Sequence, residues 1–236
     1  MKITINDKEV LRYLGYRGAE ADERVSSLIT EMIELFSANV IPKSVYGVWD
    51  CQIDSYTVSL GGISVKSKNL CEHLTDCERA VLLAATLGTE ADTLIRRFSV
   101  KDMEKAVIAQ AVCAAMIEAY CDTVTAEIES EFAQKGDSRL YPTMRFSPGY
   151  GDFDIAHQKE ILNILNCSRI GLTLTDGFML IPSKSVTAVI GFSKEKNQSL
   201  EKCEKCSTPC ALASFQNPIK TPRLCASASL RETMGA

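Results

Sequence analysis

One segment dictates how the rest of the chain must fold. Across residues 101–133, Ile108, Val112, Met116, Tyr120, Val124, Ile128 and Phe132 recur every four residues. That spacing stacks side chains along one face of an α-helix. An apolar stripe this long has to be covered by other elements, so the helix is predicted to lie in the core. Ala111, Ala115 and Ala119 run beside the stripe and allow a neighbouring element to approach closely. The opposite side carries Gln110, Glu118 and Asp122, which puts two carboxylates four residues apart on a shared face.

The remaining pattern is mixed. Residues 7–14 and 19–36 read as helices, the second with Val25, Leu28, Ile29, Met32, Leu35 and Phe36 on one apolar face. Residues 44–48 and 56–60 favour extended chain through their β-branched and aromatic content, and Gly61-Gly62 supply a turn before residues 63–65. Residues 75–87 read as a helix, with Thr75 as its cap and Glu78 three residues on, the order of a capping box. A short helix is predicted over 156–165 and strands over 170–174, 178–181 and 186–191. Helices followed by strands, without regular βαβ alternation, predict an α+β fold: a mainly antiparallel sheet packed with helices. After Phe192 the composition shifts to KEKNQSLEKCEKC. The predicted division is therefore an α+β domain over residues 1–198 and a cysteine-rich appendage over 199–236.

A formal charge of -4 over 236 residues argues against a dedicated nucleic-acid binder, because neutralising phosphates takes concentrated Lys and Arg. The N-terminal MKITINDKEVLRYLGY contains acids and has no long apolar run, unlike a secretory signal. No uninterrupted apolar run reaches the roughly 18 residues of a membrane span. Cys51, Cys71, Cys77, Cys113, Cys121 and Cys167 are scattered through apolar or helical contexts, which points to buried thiols in a reducing cytoplasm.

The unusual local chemistry sits in residues 139–160, RLYPTMRFSPGYGDFDIAHQKE. Arg145, the turn Pro148-Gly149 and Tyr150 place a fixed cation, a backbone free of side-chain bulk and an amphipathic ring within six residues. Such a loop can close over a small polar ligand; a surface turn with Tyr150 packed and Arg145 solvated is the alternative.

From about Glu118 to Ser193 the sequence resembles the reactivation, or activation, domain of cobalamin-dependent methionine synthase. The resemblance rests on Arg145-Phe146-Ser147-Pro148-Gly149-Tyr150, on His157-Gln158-Lys159-Glu160-Ile161, on Ile170-Gly171-Leu172-Thr173-Leu174-Thr175-Asp176-Gly177-Phe178, and on Pro182-Ser183-Lys184-Ser185-Val186-Thr187. Residues 14–18, Leu-Gly-Tyr-Arg-Gly, are similar to the start of free-standing relatives. The resemblance implies that S-adenosylmethionine binds near the loop and donates a methyl group to cobalamin carried by another protein. In that reading Arg145 takes the methionyl carboxylate, since a planar guanidinium makes a bidentate contact with it. Pro148 and Gly149 shape the approach, and Tyr150 stacks on the ligand or hydrogen-bonds to it. Asp122 and Glu118 face the ligand's positive charge; for both, and for Glu118 most strongly, a solvated helix face is the competing explanation. The chain departs from the family pattern at Gly151-Asp152-Phe153-Asp154. It departs again after Ser185-Val186-Thr187, where no tyrosine pair follows to cover the ligand.

A second site is expected at Cys203-x2-Cys206-x3-Cys210, with Cys225 after fourteen intervening residues. Clustered thiolates can complete a tetrahedral shell for zinc or an iron-sulfur cluster, and the spacing does not choose between them or exclude free thiols or a redox disulfide in the Cys-x2-Cys pair. His73 and His157 have no second histidine beside them and carry no assigned role. The leading expectation is an accessory subunit for reductive reactivation of cobalamin on a separate methionine synthase or corrinoid methyltransferase, working with a flavodoxin or ferredoxin-type electron donor. The alternative is a non-catalytic docking module for a corrinoid protein and its electron donor.

Overall fold

The computed structural model describes residues 3–16, 21–134 and 140–195. Helix α1 (Asp7–Tyr13) starts at Asn6, whose side chain accepts the Lys8 amide. Helix α2 (Glu23–Asn39) starts at Asp22, whose carboxylate accepts the Val25 amide. Both caps satisfy amides that have no partner inside the helix. Strands β1 (Lys43–Asp50), β2 (Gln52–Asp54), β3 (Thr57–Leu60) and β4 (Ile63–Lys66) follow. β2, β3 and β4 form a small antiparallel meander. Gly61 and Gly62, at φ +55° and +92°, close its second hairpin in a conformation that favours glycine.

Helix α3 (Lys68–His73) leads into β5 (Arg79–Thr86), then α4 (Thr89–Lys101) and α5 (Met103–Gln134). β6 (Tyr141–Pro142), α6 (His157–Ile164), β7 (Thr173–Leu174), β8 (Leu180–Ile181) and β9 (Ser185–Ser193) complete the described elements. The main sheet is antiparallel, in the order β1-β5-β9-β6. β5 is its axis: Leu83 stands opposite Tyr46 of β1 on one side and Ala188 of β9 on the other. Side chains alternate across it. Val81, Leu83 and Ala85 join Ile190 and Phe192 in a core with α1, α2, α4 and α5. Ala80, Leu82 and Ala84 join Val189 in a second core with the meander, α3 and α6. The fold is thus α+β with an antiparallel sheet packed against helices, as expected.

The helix predicted over residues 75–87 is not there. Residues 79–86 are the central strand, buried on nearly every position. A strand covered on both faces shows a continuous apolar run, which periodicity alone does not separate from a buried helix. Thr75 caps nothing downstream; its hydroxyl donates back to the Cys71 carbonyl at the end of α3. Glu78 continues the strand pairing, its amide donating to Phe192.

α5 matches its expected position. Every residue of the stripe from Ile108 to Phe132 is at most 6 % exposed. By length and composition this helix is also apolar enough to cross a membrane, but here α1, α2 and α4 pack against it. Cys71, Cys113, Cys121 and Cys167 are buried, whereas Cys51 and Cys77 are partly exposed. The expected appendage over 199–236 lies outside the described residues.

Candidate ligand-binding site

The segment carrying Arg145 is laid against β9. The Thr143 amide donates to Gly191 at 2.7 Å, and Phe146 and Val189 exchange two backbone hydrogen bonds of 2.9 and 2.8 Å. His73, at the end of α3, braces the same segment from the other side. Its Nε2 lies 2.8 Å from the Met144 carbonyl and its ring stacks on Phe146 at 5.1 Å. Burial lowers the pKa of His73 to about 4, against the backbone bond that favours protonation. The ring is therefore neutral near pH 7 and donates its single proton to that carbonyl. His73 has a positioning task, holding the backbone from which Arg145 projects.

Arg145 reaches across to α5. Its Nη2 lies 2.5 Å from Glu118 Oε2 and its Nη1 2.7 Å from Asp122 Oδ1. The four-residue spacing of the two carboxylates matches the fork of the guanidinium. Arg145 is only 11 % exposed, Glu118 26 % and Asp122 74 %. Burial opposes the arginine's charge, yet Cys121, Glu118 and Asp122 together raise its pKa. Burial pushes the Cys121 thiol itself up to about 12, so it is uncharged near neutral pH and the two carboxylates hold the cation.

The turn after Arg145 is fixed internally. Gly149 adopts φ +93° and its amide donates to Phe153 at 2.7 Å. A Cβ added there would meet Ile155 only at 3.7 Å, so backbone conformation rather than crowding demands the glycine. Tyr150 packs edge-on to Phe146 at 5.9 Å. The departure at residues 151–154 serves as an anchor. Asp152 accepts from Ser67 Oγ at 2.5 Å, Lys68 N at 2.8 Å and Asn69 N at 3.1 Å. Burial acts to raise its pKa, but these hydrogen bonds outweigh that and hold the carboxyl below its ordinary value. Phe153 beside it is buried.

These pieces enclose a cavity of about 720 Å³, within the range of small-molecule sites. Arg145, Tyr150, Glu118 and Asp122 all line it, whereas Pro148 and Gly149 shape the adjoining turn without lining it. Ser185, Val186 and Thr187 of β9 form part of another wall. Ala115 and Ala119 line the cavity too, so the small residues beside the α5 stripe leave room for it as well as for packing.

Sequence reasoning passed over several lining residues. Thr125 and Glu129 continue the Glu118–Asp122 face by helical spacing, and that periodicity was the available signal. Thr4, Asn6 and Glu9 arrive from the N-terminal segment through tertiary packing, which no local pattern announces. Glu9 is already paired with Arg12 at 2.8 Å. Gln158, in the first turn of α6, also lines the cavity.

Among the described residues no group of three or more His, Cys, Asp or Glu is arranged to hold a metal ion. Cys203, Cys206, Cys210 and Cys225 lie outside the described residues. His157 pairs with Glu160 at 2.5 Å within its own helix.

Comparison with known proteins bears on the fold and the family. No curated protein matches the sequence. A crystal structure of the MetH reactivation domain bound to AdoHcy superposes with a TM-score of 0.63 at 14 % identity, over 85 % of this chain and 81 % of that one. The family model for the activation domain of vitamin B12-dependent methionine synthase matches residues 72–205, more than half of the chain and the whole Arg145 loop. The chain belongs to the family of vitamin B12-dependent methionine synthase activation domains.

Proposed function

We propose that the cavity beside α5 binds S-adenosylmethionine and that the protein acts as an accessory subunit in reductive reactivation of cobalamin. The corrinoid is carried by a separate methionine synthase or corrinoid methyltransferase, and a flavodoxin or ferredoxin-type donor supplies the electron. The observation that carries this reading is the Arg145–Asp122 ion pair in the cavity wall. An amino-acid zwitterion can insert into such a pair without leaving any charge unpaired: its carboxylate replaces Asp122 on Arg145, and its ammonium takes up Asp122. Asp122 is the more exposed of the two carboxylates, so its arm opens at less cost than that of Glu118. Glu118 keeps Arg145 oriented and adds negative potential toward the sulfonium.

Bound S-adenosylmethionine supplies an electrophilic methyl group for the reduced cobalt of the partner's corrinoid. The residues of this chain orient the ligand and balance its charge, and none is needed as a general acid. The same ion pairs also support the alternative, a docking module for a corrinoid protein and its electron donor in which Arg145 is purely structural. Titration of the purified protein with S-adenosylmethionine separates the two, with and without a cob(II)alamin protein under reducing conditions. Saturable binding that is lost in Arg145→Ala supports the first reading; corrinoid-protein binding indifferent to that substitution supports the second.

Two further parts of the proposal rest on the sequence. Cys203, Cys206, Cys210 and Cys225 hold one zinc ion or iron-sulfur cluster, which metal analysis and absorption spectra after anaerobic purification test. The protein works in the cytoplasm, as a domain over residues 1–198 followed by an appendage over 199–236. A chain ending at Ser199 that unfolds contradicts that boundary.

A further inference from the structure

One residue of the cavity wall carries a buried polar atom that has no hydrogen-bond partner among the described residues. Gln158 is only 9 % exposed, its Oε1 is fully buried, and that oxygen has no hydrogen-bond partner among the described residues. Its backbone is fixed in the first turn of α6, where its amide donates to Ile155 at 3.0 Å, and its side chain lines the same cavity as Arg145 and Tyr150. Buried carboxamide groups are nearly always paired, so an orphan oxygen on a residue that lines a cavity marks a place where a ligand atom can complete the bond. This inference rests on the S-adenosylmethionine reading and assigns the part of the ligand that reading leaves without a partner.

The charged end of the ligand is matched by Arg145, Asp122 and Glu118. What remains is a neutral purine with a donor and acceptors side by side on one edge. A carboxamide presents an acceptor and a donor in one plane, the pairing by which Gln recognises the 6-amino group and N7 of adenine. Tyr150 in the same wall offers an aromatic surface for the base. We infer that Gln158 reads the adenine edge of the bound nucleoside and makes the site selective for a 6-aminopurine.

The test is calorimetric titration with S-adenosylhomocysteine and with S-inosylhomocysteine, in which a 6-oxo group replaces the amine. Wild type is expected to prefer the adenosine ligand by about tenfold or more, the range of one bidentate base contact. Gln158→Met keeps the length of the side chain but not its polar atoms, and it should still bind while its preference falls to about twofold or less. Circular dichroism checks that the variant is folded, and the wild-type preference is read independently of any variant. Equal wild-type affinity for the two ligands overturns the assignment, as does an unchanged preference in folded Gln158→Met. Wild type that binds neither ligand overturns the S-adenosylmethionine reading itself, and this inference with it.

Discussion

The two sides of α5 obey different rules. On one side Val112, Met116, Val124 and Ile128 are no more than 2 % exposed and pack in a dry core, where stability depends on how well volume is filled. On the other side Glu118, Asp122 and Glu129 face a cavity beside Ala115 and Ala119, where stability and recognition depend on how charge is matched. A single helix therefore serves as both the principal core element and a wall of the cavity. Damage to one side should register in folding and damage to the other in binding. Arg145 is the exception that joins them, because it pairs with both carboxylates and is also the proposed ligand contact.

Arg145→Ala should have the largest combined effect. Removing a charged partner of the ligand carboxylate is expected to weaken S-adenosylmethionine binding by about 2 to 5 kcal/mol in calorimetry. It also strands Glu118, which is only 26 % exposed, so denaturant unfolding should show a further loss of about 1 to 3 kcal/mol. An undiminished affinity in the folded variant would remove Arg145 from the site.

Met116→Ala probes the opposite side of the helix. Met116 is 1 % exposed, and truncation should cost about 2 to 5 kcal/mol of stability with little change in the affinity of the folded protein. A large affinity change without loss of stability would show that the two sides are not separable as described. Ala119→Leu should do the reverse, placing a branched side chain in the cavity and weakening binding by about tenfold or more while denaturation midpoints barely move, since a displaced or lost ligand contact is worth on the order of 1.4 kcal/mol.

Much of the first side was legible in advance and much of the second was not. The α5 stripe announces itself because a four-residue repeat over about seven turns has no other reading. β5 does not, because its Ala-Val-Leu-Leu-Ala-Ala run lost its alternation on becoming central to the sheet. Arg145, Glu118 and Asp122 were visible as residues, through the loop motif and the helical spacing. Their mutual pairing was not, because it depends on β9 and His73 placing the loop beside α5. The orphan oxygen of Gln158 is a property of packing and leaves no trace in sequence order. The role of His73 stayed hidden for the same reason: its partner is a backbone carbonyl 71 residues away.

Acid should expose that histidine. The folded pKa of His73 is depressed from 6.5 to about 4, so in that window the unfolded chain binds more protons than the folded one. Its contribution to stability is fully present above about pH 6.5 and declines as pH falls toward 4. His73→Gln, measured by chemical denaturation across that window, should flatten this part of the profile. An unchanged slope would mean that other groups govern it. Asp122→Asn should have the smallest effect on stability, about 1 kcal/mol or less, because Asp122 is 74 % exposed.

The decisive comparison is between Arg145→Met alone and Arg145→Met combined with Glu118→Gln, each measured for unfolding free energy and S-adenosylmethionine affinity. Neutralising Glu118 removes the stranded charge, so the double variant should recover at least half of the stability lost by the single one. Its affinity should remain weaker than wild type by about tenfold or more, since the carboxylate contact is still missing. Affinity that returns together with stability would show that Arg145 acts only as a structural ion pair, and the ligand contact assigned to it would be wrong.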